Sequence, residues 1–144
     1  MSADGRISLL VPSRVDHLDL IQATAEQIAR LAGCTDEPQL DFGLAVRECA
    51  VNAMKHAHRM NPAQFVRLEF RCSTGFIEAS ICDHGPGFDP ATLPDPRAPE
   101  NLLSSSGRGL FLIRSLVDQV HFIQHDDGME LILKKRLNGA RTRQ

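Results

Sequence analysis

Three short patterns in the chain bring together residue types that can do chemistry. In the first, Glu48 and Asn52 lie four apart, and Lys55 and His56 follow three and four residues later. On an α-helix that spacing stacks side chains one turn above the next, so a carboxylate, an amide, an ammonium and an imidazole would face one space. In the second, Asp83 precedes Gly85-Pro-Gly87; in the third, Gly107-Arg108-Gly109-Leu110 opens an apolar, helix-spaced run. An ionised aspartate is acceptor-only, which suits an exocyclic amine such as adenine's. Asn52 offers an oxygen without charge, fitting for a Mg²⁺ that already carries phosphate oxygens and water. Glu48, one turn away, is placed to take a proton from an attacking hydroxyl or water. Gly107 and Gly109 allow backbone to approach a ligand closely, and a helix start with Arg108 beside it attracts phosphate. Singly, each pattern fits a solvated helix face or a plain turn. Their occurrence together, in this order, calls for a shared site.

The elements that must position these residues are legible from periodicity. Residues 41–58 carry Phe42, Ala45, Val46, Cys49, Ala50, Ala53, Met54 and Ala57 at helical spacing, so one helix is expected with its apolar stripe inward and Glu48 and Asn52 on another face. Thr35 or Asp36 caps its start, with Pro38 in the first turn, and Asn61-Pro62 stops the chain beyond it. Before it, residues 6–11 form a short strand that Pro12 ends. Ser13 then reads as the N-cap of a helix bearing Leu18, Ile21, Ala25, Ile28 and Ala32, which runs to Gly33. Residues 65–72 alternate strictly, Val66, Leu68, Phe70 and Cys72 against Arg67, Glu69 and Arg71. After Ser73-Thr74-Gly75, Ile77, Ala79 and Ile81 repeat the alternation in a strand that ends at Asp83. A loop over 88–106, with Pro90, Pro94, Pro96 and Pro99 and then three serines, has no apolar period and is long enough to be a functional lid. A helix over 107–117 follows, then strands over 120–124 and 129–134 joined through Asp126-Asp127-Gly128. Residues 138–144 form a polar, frayed tail.

Because helices and strands do not alternate regularly, the expected fold is α+β: a two-layer α/β sandwich with a mixed, mostly antiparallel sheet and helices on one face. Residues 1–137 are expected to make one domain. With 144 residues, 42% hydrophobic and 24% charged, the chain can bury a real core, and a net charge of -2 argues against direct nucleic-acid binding. No apolar run reaches the length of a membrane span, and no leader pattern opens the chain, so a cytoplasmic protein without membrane association is expected. The four cysteines form no C-x-x-C pair and read as free, buried thiols. No histidine sits at metal-ligand spacing from a second ligand. The absence of G-x-x-x-x-G-K-[ST] excludes a P-loop, and Gly85-x-Gly87 lacks the third glycine of a dinucleotide fold.

The set Glu48-x-x-x-Asn52, Asp83-x-Gly85-x-Gly87 and Gly107-x-Gly109-Leu110 resembles the N, G1 and G2 boxes of the GHKL (Bergerat-fold) ATPases and kinases. Within that superfamily the chain is similar to the anti-sigma-factor serine kinases of the RsbW type, over almost its whole length. The resemblance implies ATP and Mg²⁺ as cofactors, Glu48 as general base and Asn52 as the Mg²⁺ ligand. It implies Asp83 on the adenine amine and Gly85 and Gly87 around the base. Gly107, Arg108, Gly109 and Leu110 would border the phosphates, with Lys55 and His56 also lining the nucleotide. It further implies a homodimer that phosphorylates an anti-anti-sigma (STAS) partner on serine and sequesters a sigma factor. Two other readings stay open: a nucleotide-responsive binding module without transfer, and an ATPase or histidine-kinase catalytic domain acting with a separate subunit.

Overall fold

The computed structural model describes residues 5–57, 61, 63–84, 108–126 and 128–137; of His56, Ala57, His84 and Arg108 it describes the backbone alone. Among the described residues five strands form one sheet: β1 (Arg6–Pro12), β2 (Phe65–Ser73), β3 (Phe76–His84), β4 (Gln119–His125) and β5 (Gly128–Arg136). Their spatial order is β1-β2-β3-β5-β4, and every neighbouring pair is antiparallel. The sheet is thus more regular than the mixed one expected, because each neighbour in space is reached by a hairpin or by a return over the helices.

Alternation sets the two faces. Val66, Leu68 and Phe70 of β2, Ile77 and Ala79 of β3 and Leu131 and Leu133 of β5 are buried beneath helices, while Arg67, Glu69, Ser80, Cys82 and Glu130 lie on the other side. Among the described residues the helical layer consists of α1 (Leu18–Leu31), α2 (Asp36–Asn52) and α3 (Arg108–Leu116). α1 turns Leu18, Ile21, Ala25 and Ile28 inward and stops at Gly33, whose φ of +108° permits a left-handed cap. There Cys34 N–H donates to the Ala29 carbonyl and Gly33 N–H to that of Arg30, a Schellman closure. α1 and α2 pack closely at Gly43, where a Cβ would overlap the Glu26 side chain. Phe42 meets Phe70 edge-on at 6.2 Å between centroids, joining the helical layer to the sheet.

Two expectations need correction. Ser13 is not at an N-cap position: Arg14 precedes a 3₁₀ turn at Val15–His17 and His17 precedes α1, while the Ser13 N–H donates to the Gln64 carbonyl and extends the β1–β2 edge. The helix expected over 41–58 is α-helical only to Asn52 and continues as a π-helical segment, Ala53–Ala57. The lid expected over 88–106 and the tail over 138–144 lie outside the described residues.

Candidate functional site

Asn52 is the last residue of α2, and Glu48 sits one α-helical turn before it. Glu48 is half-buried, whereas Asn52 is 4% exposed, and its Nδ2 has no hydrogen-bond partner among the described residues. Buried amides are nearly always satisfied, so an orphan among the described residues is the kind of group that a ligand would satisfy. The two ends of an amide differ only by a rotation about the last side-chain bond. Turned over, Asn52 presents an oxygen into the same space, the donor a hard divalent cation takes.

Beyond Asn52 the i→i+5 bonding of the π segment widens the turn, so Lys55 does not continue the Glu48–Asn52 line as α-helical spacing would have it, and of His56 the backbone alone is described. Lys55 is exposed. The π segment packs against β3, the strand that ends in Asp83 and His84. By strand parity Asp83 shares the helix-facing side with Ile77, Ala79 and Ile81. Its Oδ1 accepts a hydrogen bond from the Met129 N–H at 3.1 Å.

Lys135 shows how the pieces are oriented. It lies on the helix-facing side of β5, 8% exposed, and its Nζ donates to the Leu116 carbonyl at 2.8 Å and lies 3.7 Å from Asp41 Oδ2. This ammonium therefore joins the last residue of α3 to an early turn of α2. Since α3 packs along α2, it must run back toward the other end, carrying Arg108 and the buried Gly109 toward Glu48 and Asn52. From Asp41 to Asn52 α2 advances about 16 Å, and from Lys135 to Met129 β5 spans about 20 Å. Both end at the Asp83 corner. Glu48, Asn52, Asp83 and the start of α3 thus converge at one end of the molecule, although they come from three separate stretches of sequence. Gly85, Gly87 and Gly107 lie outside the described residues.

The open face of the sheet carries a concavity of about 250 Å³, lined by Arg67, Glu69, Ser80, Cys82 and Glu130, which reaches the corner where Asp83, Gly128 and Met129 meet. Ser80 Oγ donates to Glu130 Oε2, and His125 Nε2 lies 2.7 Å from Glu130 Oε1. Burial, reinforced by the Glu130 charge, pushes the Cys82 thiol up to about 11, so it stays protonated and unreactive near neutrality. Cys34 and Cys49 are buried; Cys72 and Cys82 are only partly so, and all four are free.

Reading the sequence missed Lys135, Gly128 and Met129. Parity along Met129, Leu131, Leu133 and Lys135 carried a signal for the first, a charged residue in register with a core-facing row. Gly128 read only as a turn residue.

The fold and the family match define an ATP-using domain. Residues 11–135 match the model of the histidine kinase-like ATPase domain, and the chain belongs to that family. Within it, this is an RsbW-like kinase domain. It is 30% identical to the serine-protein kinase RsbW of Staphylococcus aureus, over 99% of this chain and 93% of that one. To RsbW of Bacillus subtilis it is 29% identical, over 94% and 88%. Among solved structures, the RsbU and RsbW domains of a Mycobacterium tuberculosis protein superpose with a TM-score of 0.67 at 16% identity. That match takes in 92% of this chain and only 32% of the other. A histidine kinase domain from Erythrobacter litoralis superposes with a TM-score of 0.57 at 21% identity. At such identities the two structures speak to the fold. No helix among the described residues is long and apolar enough to cross a membrane.

Proposed function

We propose that the protein is an ATP-dependent serine kinase of a partner-switching circuit, which transfers the γ-phosphoryl group to a serine of a STAS-type anti-anti-sigma protein. In its other state it holds a sigma factor, as a cytoplasmic homodimer. The observation that carries the enzymatic part is the buried Asn52 amide with its unsatisfied end, one turn from Glu48. Phosphoryl transfer is largely a matter of positioning and charge neutralisation, so one base and one metal-holding residue suffice. Glu48 accepts the proton of the attacking serine hydroxyl. Asn52 would hold Mg²⁺ through its oxygen, and the ion would supply neutralisation of phosphate charge there. Asp83 accepts the adenine amine, with Gly85 and Gly87 beside the base. Gly107, Arg108, Gly109 and Leu110 border the phosphates, and Lys55 and His56 complete the nucleotide's surroundings. The partner assignment rests on the likeness to RsbW over most of both chains.

The test is single-turnover transfer from labelled ATP to a STAS-domain protein of the same genome. Glu48→Gln is expected to slow transfer by about 10²–10⁴-fold, the usual worth of a general base, with ATP affinity within a few-fold of wild type. Undiminished transfer in the variant would remove Glu48 from that role. An acid-labile, base-stable product would mean phosphohistidine and favour the histidine-kinase reading.

A further inference from the structure

Gly128 is the residue at which the β4–β5 hairpin touches the adenine-reading aspartate. The β3–β5 ladder runs from Phe76↔Arg136 to Cys82↔Glu130. One step further, Asp83 and Met129 face each other, and there the side-chain Oδ1 of Asp83 accepts the Met129 N–H. A backbone donor cannot rotate away, so this bond fixes the carboxylate as a strand partner would. The approach is possible because Gly128 has no side chain: a Cβ there would overlap both the Asp83 carbonyl oxygen and Oδ1. The carbonyl oxygen is backbone and cannot turn aside, so relief would require a shift of β3 or β5, and the Oδ1 overlap would displace the carboxylate as well. Gly128 also holds a φ of +155°, which residues with a Cβ rarely adopt.

We infer that Gly128 and the Met129 N–H are positioning groups for base selection: they orient the Asp83 carboxylate toward the 6-amino group of the nucleotide. This rests on the reading of Asp83 as the adenine acceptor. A carboxylate has acceptor sites on two oxygens, so a fixed donor on one sets the plane in which the other meets a ligand. A purine with an oxo group at position 6 would place an acceptor against an acceptor. Discrimination therefore depends on how firmly the carboxylate is held, and the hairpin holds it.

The experiment compares ATP and inosine triphosphate binding by calorimetry in the wild type, Asp83→Asn, Gly128→Ala and the control Met129→Leu, which keeps the backbone donor. Wild type and Met129→Leu are expected to prefer ATP by at least tenfold. Gly128→Ala, if folded by circular dichroism, is expected to lose most of that ratio while binding inosine triphosphate within about threefold of wild type. Equal weakening of both nucleotides, or an unchanged ratio, would reduce Gly128 to a folding role and overturn the inference. A wild type without base preference, or one whose preference survives Asp83→Asn, would overturn it by removing Asp83 from base recognition, a failure visible without any hairpin variant. If Gly128→Ala does not fold, the amide proton of Met129 decides. In the wild type it is expected to shift as the Asp83 carboxylate titrates, and to lose that dependence in Asp83→Asn; an amide that ignores Asp83 overturns the inference.

Discussion

An unpaired amide in a protein interior costs about 1–3 kcal/mol, and Asn52 bears that cost at 4% exposure. Nothing in the packing of α2 asks for it: Cys49, Ala50 and Met54 around it are buried and apolar. On the proposed function the amide serves the ligand and not the fold, so stability and ligand affinity should separate when it is removed. Asn52→Ala is expected to leave the folding midpoint unchanged or to raise stability by about 1 kcal/mol, since an unsatisfied group disappears. The same variant is expected to lose more than tenfold in Mg²⁺-dependent ATP affinity. Urea unfolding and calorimetry on one preparation decide the matter. A loss of more than about 2 kcal/mol without change in affinity would make the amide a structural group instead.

At the scale of elements, α3 is the least anchored piece of the helical layer. Ile113 and Val117 at its end are buried, but Phe111 and Leu112 remain largely exposed. What ties it down from the sheet is Lys135, whose ammonium caps the final carbonyl of the helix and pairs with Asp41 of α2. Lys135→Met keeps the bulk of the side chain and removes both polar ties. A hydrogen bond to a charged group contributes about 1.5–3 kcal/mol, so a loss of that order is expected in the urea midpoint. A double-mutant cycle with Asp41→Asn would apportion it, and a midpoint unmoved by Lys135→Met would mean that α3 is held by Ile113 and Val117 alone. The elements themselves were legible in the sequence because their signals are local. Alternation across Val66, Leu68 and Phe70 marked β2, and Thr74-Gly75 marked its turn; helical spacing from Phe42 to Ala50 marked α2. The candidate site was legible as residue types, Glu48, Asn52 and Asp83, but not as geometry. The i+3 and i+4 rule assumes α-helix, and α2 loosens into a π segment just after Asn52. The direction of α3 depends on a contact between Lys135 and Leu116 that no periodicity records, and the hold on Asp83 depends on a backbone N–H of another strand. Such long-range contacts are fixed only once the sheet has assembled.

For the whole molecule, the position of the site makes nucleotide binding a global stabiliser. Lys135 of β5 ties the end of α3 to an early turn of α2 at one end of the molecule, whereas the end of α2, the end of β3 and the start of α3 lie toward the other end, where the proposed function puts ATP and Mg²⁺. A ligand bound there ties helix to sheet without needing a new core. By mass action, ATP at a hundred times its dissociation constant stabilises the folded state by about 2.7 kcal/mol. For a domain of this length, an unfolding entropy near 2 cal/mol/K per residue turns that into a rise of about 9 °C in Tm. One cooperative transition should move as a unit, because the same core residues lie beneath all three elements. Removing Mg²⁺ with a chelator is expected to return most of the shift, and Asp83→Asn to abolish it at the same ATP concentration. Scanning calorimetry of the wild type and the variant, with and without chelator, reads all of this. If ATP raised Tm equally in Asp83→Asn, the nucleotide would have to bind away from the β3 corner, and the convergence of Glu48, Asn52 and Asp83 would lose its ligand.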